Sequence, residues 1–145
     1  STVHAWDVSP EALEVARRNA IRNGVTVHFQ QVDALQESWP SLNIDVLVSN
    51  PPYITEKERT DMERNVLDWE PELALFVPDN DPLLFYRHIA RIGLDLLSPS
   101  GTLYYEINRA YGAETVSLLQ QLGYHSVELR KDLSGNDRMV KAVKP

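Results

Sequence analysis

Hydrophobic and polar positions along this chain follow two rhythms, a short one of strands and a longer one of helices. Residues 3–8, VHAWDV, read as a strand, and SPEALEVARRNAIRNG reads as the helix that follows. Ser9 is placed to cap that helix, Pro10 to occupy its first position and Glu11 to face the positive end of its dipole, while Gly24 supplies the stop. Leu13, Ala16, Ala20 and Ile21 form its expected inward stripe. A second strand, VTVHFQQV, covers 25–32 and ends at Asp33. A polar stretch with Trp39 and Pro40 leads to a third, IDVLVS, at 44–49.

Residues 54–82 are mixed, with charged helical pieces, and are expected to border a site rather than build a core. Regular periodicity returns at 83–97, a helix with Leu83, Tyr86, Ala90, Gly93 and Leu97 inward and Arg87, Arg91 and Asp95 outward. Ser98 to Gly101 read as a turn, 102–107 as a strand, and 113–123 as a helix closed by Gly123. The chain finishes at 124–144 with two strands joined by a Gly-Asn loop. Strands alternating with helices, then a hairpin, predict an α/β sandwich with a mostly parallel sheet and an antiparallel end. A single domain over 1–145 is expected, without repeats or low-complexity segments.

Composition adds limits. With 43% hydrophobic and 24% charged residues, the chain is that of an ordinary globular protein. Its net charge of −7 argues against broad, phosphate-driven binding to DNA or RNA. Zero cysteines exclude disulfides and thiolate metal sites and fit a cytoplasmic setting. The six glycines show neither dinucleotide nor P-loop spacing, and the four histidines stand singly, so no metal cluster or hydrolytic triad is visible.

Three polar residues stand at successive strand ends: Asp7, Asp33 and Asn50. In open α/β sheets ligands bind beyond the carboxyl ends of the strands. One carboxylate there can accept both ribose hydroxyls of a nucleoside, and a second can accept from an adenine amine. Each Asp taken alone is equally explained as a cap or turn former. Asn50-Pro51-Pro52-Tyr53 is harder to explain as a turn. Prolines cannot donate, so the loop presents the Asn50 and Pro51 carbonyls as acceptors with few competing N–H groups. That suits a planar NH2 group held while its nitrogen reacts, with Tyr53 stacked on its flat face.

The tetrapeptide resembles the NPPY motif of class I S-adenosylmethionine (SAM)-dependent methyltransferases that modify amide or exocyclic nitrogens. With WDVSPEALEVARRNAIRNG, VSNPPYI, EPELAL, FYRHIA and KDLSGNDRMV beside it, essentially the whole chain resembles the HemK/PrmC family. These enzymes methylate the glutamine amide of the GGQ motif in peptide-chain release factors. The resemblance implies a Rossmann-like fold, SAM as cofactor and S-adenosylhomocysteine as product. It implies Asp7 as the ribose-binding acid, Asp33 and Ala34 beside the adenine, and Asn50 to Tyr53 as the loop that holds the substrate glutamine, with Asn50 also bordering the cofactor. Asn50 and Pro51 are the expected catalytic groups. Glu70-Pro71 is read as structural support, and Glu106 as either a site-facing or a core-edge carboxylate. Asp132, Asp137 and Arg138 are read as turn and ion-pair residues.

The family also carries an upstream strand, a glycine-rich loop and a helical domain that these residues do not include. The strand belongs between the one ending at Asp7 and the one ending at Asn50. The 145 residues are therefore expected to be inactive alone, with the parent protein active, and the open sheet edge to offer a surface for self-association. Release factors are the implied partners, with no membrane and no direct nucleic-acid contact. The alternatives are a methyltransferase acting on nucleic-acid exocyclic amines, and a non-catalytic α/β interaction domain.

Overall fold

A computed structural model describes residues 1–62 and 71–145, and these divide into two compact units, Ser1–Pro40 and Ser41–Pro145. The first unit holds β1 (His4–Asp7), α1 (Pro10–Arg22) and β2 (His28–Gln31). Helix α1 starts where its caps dictate: the Ser9 hydroxyl accepts from the Ala12 N–H at 3.1 Å, with Pro10 next in line. Gly24 takes a φ of 63°, the left-handed conformation that ends the helix. Strands β1 and β2 pair in parallel, Asp7 opposite Gln31, and their far ends are stitched by Val32 N–H to Asp7 O and by the Gln31 amide to Val8 O, both at 3.0 Å.

Two expectations for this unit are corrected. The second strand is limited to His28–Gln31 rather than 25–32, since β1 offers it only four partners. Of the stripe on α1, Leu13 is buried, Ala16 and Ala20 are half-buried, and Ile21 is 78% exposed. A two-stranded sheet is too narrow to cover the last turn of the helix.

The second unit is built on a four-stranded sheet in the order β3-β6-β8-β7. Strand β3 (Ile44–Ser49) is parallel to β6 (Leu97–Glu106), while β8 (Asp137–Val143) runs antiparallel to both β6 and β7 (His125–Lys131). A two-residue parallel pair, β4 (Ile54–Thr55) with β5 (Phe76–Val77), forms a small separate sheet. Parallel pairing thus predominates, with the antiparallel strands at the C-terminus, and the parallel pairs are shared among three sheets. Among the described residues β1 and β3 belong to different sheets.

Helices α2 (Leu84–Leu96) and α3 (Gly112–Gln121) contribute Tyr86, Ile89, Ala90, Ile92, Leu96 and Leu119 to a core shared with Ile107, just after β6, and with Leu103, Tyr105, Val140 and Ala142 of the sheet. These sheet residues alternate along β6 and β8, the period of a strand with one covered face. Arg91 and Asp95 are exposed as expected, whereas Arg87 is half-buried and makes two 2.9 Å bonds to the Asp81 carboxylate. None of the described helices is long and apolar enough to cross a membrane.

The expected turn at Ser98–Gly101 is instead the first part of β6. The register jumps from Ile44 opposite Leu97 to Val46 opposite Thr102, so the four residues form a bulge within a continuing ladder. Ser100 sits at φ 64°, its N–H donating to Lys144 O and the Lys144 N–H donating to Gly101 O. A Cβ on Gly101 would lie 2.8 Å from the Ser98 carbonyl, which explains glycine there.

Candidate functional site

Asp7 and Asp33 share one end of the first unit, beyond the carboxyl ends of two parallel strands. Each uses one carboxylate oxygen locally. Asp7 Oδ1 accepts from Ser9 N–H and Asp33 Oδ1 from Leu35 N–H, both at 2.8 Å. These are short Asx-type turns that fix where each side chain leaves the backbone. Asp7 is exposed and Asp33 half-buried, and half-buried Ala34 occupies the turn that Gln36 N–H closes on Asp33 O at 3.1 Å. The turn-forming role is thereby realised in both residues, and each keeps a second oxygen for further acceptor work.

The second unit carries Asn50 to Tyr53, directly after β3. Asn50 is exposed, Pro51 behind it is buried, and Pro52 and Tyr53 are half-buried. Two bonds fix Tyr53 at opposite ends. Its hydroxyl donates to Glu106 Oε1 at 2.8 Å, and its carbonyl accepts from the Asn108 side-chain amide at 3.0 Å. Burial, then the hydrogen bond and charge of Glu106, raise the Tyr53 pKa above its usual 10.0, so the phenol stays protonated and keeps donating. Glu106 therefore contacts the tetrapeptide through the phenol of Tyr53.

The loop is held on its exit side as well. Ile54 N–H donates to Leu75 O at 2.9 Å, where β4 meets β5. The EPELAL segment thus reaches this loop through the Leu75 backbone; Pro71 begins the short turn at Glu72–Ala74, and Glu70 lies outside the described residues. The described parts of 54–82 hold these two short strands and two short 3-10 helices, Glu56–Asp61 and Glu72–Ala74, the first charged as expected; residues 63–70 lie outside the described residues. Glu58 joins the loop to β6: its carboxylate accepts from Thr55 N–H at 2.9 Å, Thr55 Oγ1 at 2.8 Å and the Asn108 amide at 3.0 Å. Burial acts to raise the Glu58 pKa, but the Thr55 and Asn108 bonds and the charge of Arg109 outweigh it, leaving the carboxyl below its usual 4.5.

Asn108 and Glu58 were not among the residues singled out from sequence, though signals for both existed. Asn108 lies just past the carboxyl end of β6, where the rule that selects Asp7, Asp33 and Asn50 applies equally. Thr55 and Glu58 have the T-x-x-E spacing of a helix-start motif. In the terminal hairpin, Asp132 accepts from Ser134 N–H and Asn136 N–H and pairs with Arg138, while Asp137 pairs with Lys131 at 2.9 Å. These are the turn and ion-pair roles expected of them.

Chemically, the second unit offers a rigid, proline-stiffened loop whose exposed end is an amide and whose aromatic ring is fixed at its hydroxyl. The first offers two carboxylates at neighbouring strand ends. Residues 1–68 match the family model of the methyltransferase small domain. The chain is 50% identical over 141 residues, 97% of its length, to a release factor glutamine methyltransferase of Bacteroides thetaiotaomicron, of which it covers 51%. It spans about half the length of the curated relatives it matches. Among solved structures it resembles a methyltransferase from Pyrococcus furiosus, with a TM-score of 0.68 at 19% identity, over 99% of this chain and 62% of that one. A SAM-dependent O-methyltransferase from Thermotoga maritima gives 0.67 at 15% identity, over 99% and 50%. Over nearly its whole length, then, the chain is homologous to the release factor glutamine methyltransferases, on the fold of the class I SAM-dependent methyltransferases.

Proposed function

We propose that the protein containing these residues transfers a methyl group from SAM to the side-chain amide nitrogen of the glutamine in the GGQ motif of a peptide-chain release factor. The observation that carries this reading is an NPPY tetrapeptide at the end of β3 in a chain 50% identical to a release factor glutamine methyltransferase. The donor set fits the cofactor: two carboxylates beyond adjacent parallel strand ends suit the hydroxyls and amine of an adenosine. Asp7 is assigned to the ribose, Asp33 and Ala34 to the adenine. The whole of 1–145 is assigned to one partial methyltransferase domain of a cytoplasmic enzyme, and the edge of β3, an outer strand of its sheet, is its expected surface for self-association.

SAM supplies a methyl group on a positively charged sulfur, open to in-line displacement with S-adenosylhomocysteine as the leaving product. The rest is positioning. An amide nitrogen is a weak nucleophile, because its lone pair is delocalised into the carbonyl. Asn50 Oδ1 and the Pro51 carbonyl accept the two amide hydrogens, which orients the nitrogen and favours the positive charge that grows on it. The proton becomes acidic only as the new bond forms, so no strong base is required beforehand. Tyr53, fixed by Glu106, stacks on the amide plane.

The test is methyl transfer from radiolabelled SAM by the full-length protein, offered a release factor, duplex DNA and structured RNA in parallel. Incorporation into the release factor alone is expected. Incorporation into DNA or RNA would support the exocyclic-amine alternative, and none into any of them would return the chain to the interaction-domain reading.

A further inference from the structure

Asn108 does more than a helix cap requires. Its side-chain oxygen accepts from Ala110 N–H at 2.9 Å and so caps the turn at Arg109–Tyr111, a task that Ser or Asp would perform as well. Capping makes no use of the amide nitrogen. That nitrogen nevertheless donates to Tyr53 O at 3.0 Å and to both Glu58 oxygens at 3.1 and 3.0 Å, with the residue only 4% exposed.

Glu58 completes the arrangement from the other side. It takes the Thr55 N–H and the Thr55 hydroxyl, and Thr55 is itself 3% exposed. The Tyr53 carbonyl and the Thr55 N–H are thus gripped on either side of Ile54, immediately after the tetrapeptide. The grip is tied to the core. Asn108 N–H donates to the Tyr86 hydroxyl at 3.0 Å, and the Tyr86 carbonyl accepts from the Tyr105 hydroxyl at 2.9 Å. Tyr86 and Tyr105 are 1% and 2% exposed. Bonds to an ionised carboxylate are stronger than neutral ones, and breaking them in a half-buried setting leaves an unpaired charge.

We infer that Asn108 and Glu58 are positioning residues for the Asn50–Tyr53 loop: they lock the loop to the end of β6 so that the Asn50 amide holds its place against the substrate amide. This rests on the functional reading above and extends it to two residues that neither the sequence motif nor the comparisons assign. The clamp is a property of the second unit alone.

Asn108→Ser separates the two roles, since serine keeps the cap and cannot reach Tyr53 O. In the full-length protein this variant is expected to lower kcat by about 10- to 100-fold, the cost of a small misplacement of reacting groups. S-adenosylhomocysteine affinity should stay near wild type, while the thermal midpoint falls modestly because buried hydrogen bonds are lost. Glu58→Gln should show the same split, and the double variant little more than either single one, because both remove one shared device. Hydrogen exchange at the Thr55 amide is the second readout, expected to accelerate in both variants while amides within α2 keep their protection.

Wild-type kcat together with wild-type exchange at Thr55 in Asn108→Ser would overturn the inference. So would a lowered kcat accompanied by an equal loss of cofactor affinity, since that pattern marks a merely structural residue. If the wild-type protein methylates no glutamine, the functional reading falls separately, and Thr55 exchange alone then decides whether the clamp exists.

Discussion

Replacing Asn50 by alanine isolates the chemical role of one amide. Asn50 is exposed, so truncating it removes little packing, and the fold should lose no more than about 0.5 kcal/mol, the range of ordinary surface substitutions. The loop itself should stay in place, because its anchors are elsewhere: Pro51 is buried, the Tyr53 hydroxyl is on Glu106, and the Tyr53 carbonyl is on Asn108. What disappears is one acceptor for the substrate amide. Removing a single preorganised hydrogen-bonding group that acts on developing charge costs about 10²- to 10³-fold in kcat, or about 2.7–4 kcal/mol. The catalytic loss should thus exceed the stability loss several-fold. Single-turnover methyl transfer to a release factor by the full-length protein, with S-adenosylhomocysteine calorimetry and a denaturant melt on the same preparations, reads all three quantities. Asn50→Asp, which keeps the acceptor, should retain more activity than Asn50→Ala. Wild-type turnover in Asn50→Ala would refute the reasoning, as would a cofactor affinity that falls as far as kcat.

Other predictions concern the framework around the loop. Glu58 titrates below its usual value in the folded protein, so its contribution to stability is complete above pH about 4.5 and is lost as pH falls through the folded pKa; Glu58→Gln should flatten the acid limb of an unfolding titration, and an unchanged limb would contradict the assignment. Tyr53→Phe removes the donor to Glu106 in a half-buried position and should cost about 1.5 kcal/mol by denaturant melt, the low end for bonds to charged groups, and Glu106→Ala, which removes the acceptor, should make that substitution nearly silent. Gly93→Ala would drive a Cβ into the Tyr124 hydroxyl, with Leu47 and Leu97 methyls at 3.4 Å, and should destabilise by about 1–3 kcal/mol; adding Tyr124→Phe should recover part of that loss, although the Tyr124 bond to Ala90 O at 2.7 Å goes with it. A thermal midpoint unmoved by Gly93→Ala would show that the helix shifts freely against β3 and β6.

Elements with strong local signals were legible in the sequence. Ser9, Pro10 and Gly24 mark α1 by side-chain chemistry that needs no tertiary partner, and the structure places them in those roles. Where a partner decides, the sequence misleads. The Ser98–Gly101 stretch has turn chemistry, and Ser100 does adopt a left-handed φ, yet Leu97 pairs with Ile44 and Ser100 bonds to Lys144, so a strand continues through it. Strands β4 and β5 are two residues each, too short to show a period. Ile21 has the right spacing for a core position and is exposed, because spacing reports a face and not whether anything covers it.

The same division runs through the candidate site. Asn50 to Tyr53 stand out because their residue types are unusual together. The residues that hold them do not: Glu106 and Asn108 come from the end of β6 and the turn after it, and only the fold brings them to Tyr53, while Glu58 meets Thr55 by local spacing and Asn108 by the fold.

The most direct test of the central claim is position-resolved mass spectrometry of a release factor after incubation with SAM and the full-length protein. One methyl group is expected, on the side-chain amide nitrogen of the glutamine in the GGQ motif, formed about 10²- to 10³-fold more slowly when Asn50→Ala replaces wild type. A methyl group on any other residue, or an unmodified glutamine under conditions where SAM is bound, would contradict it.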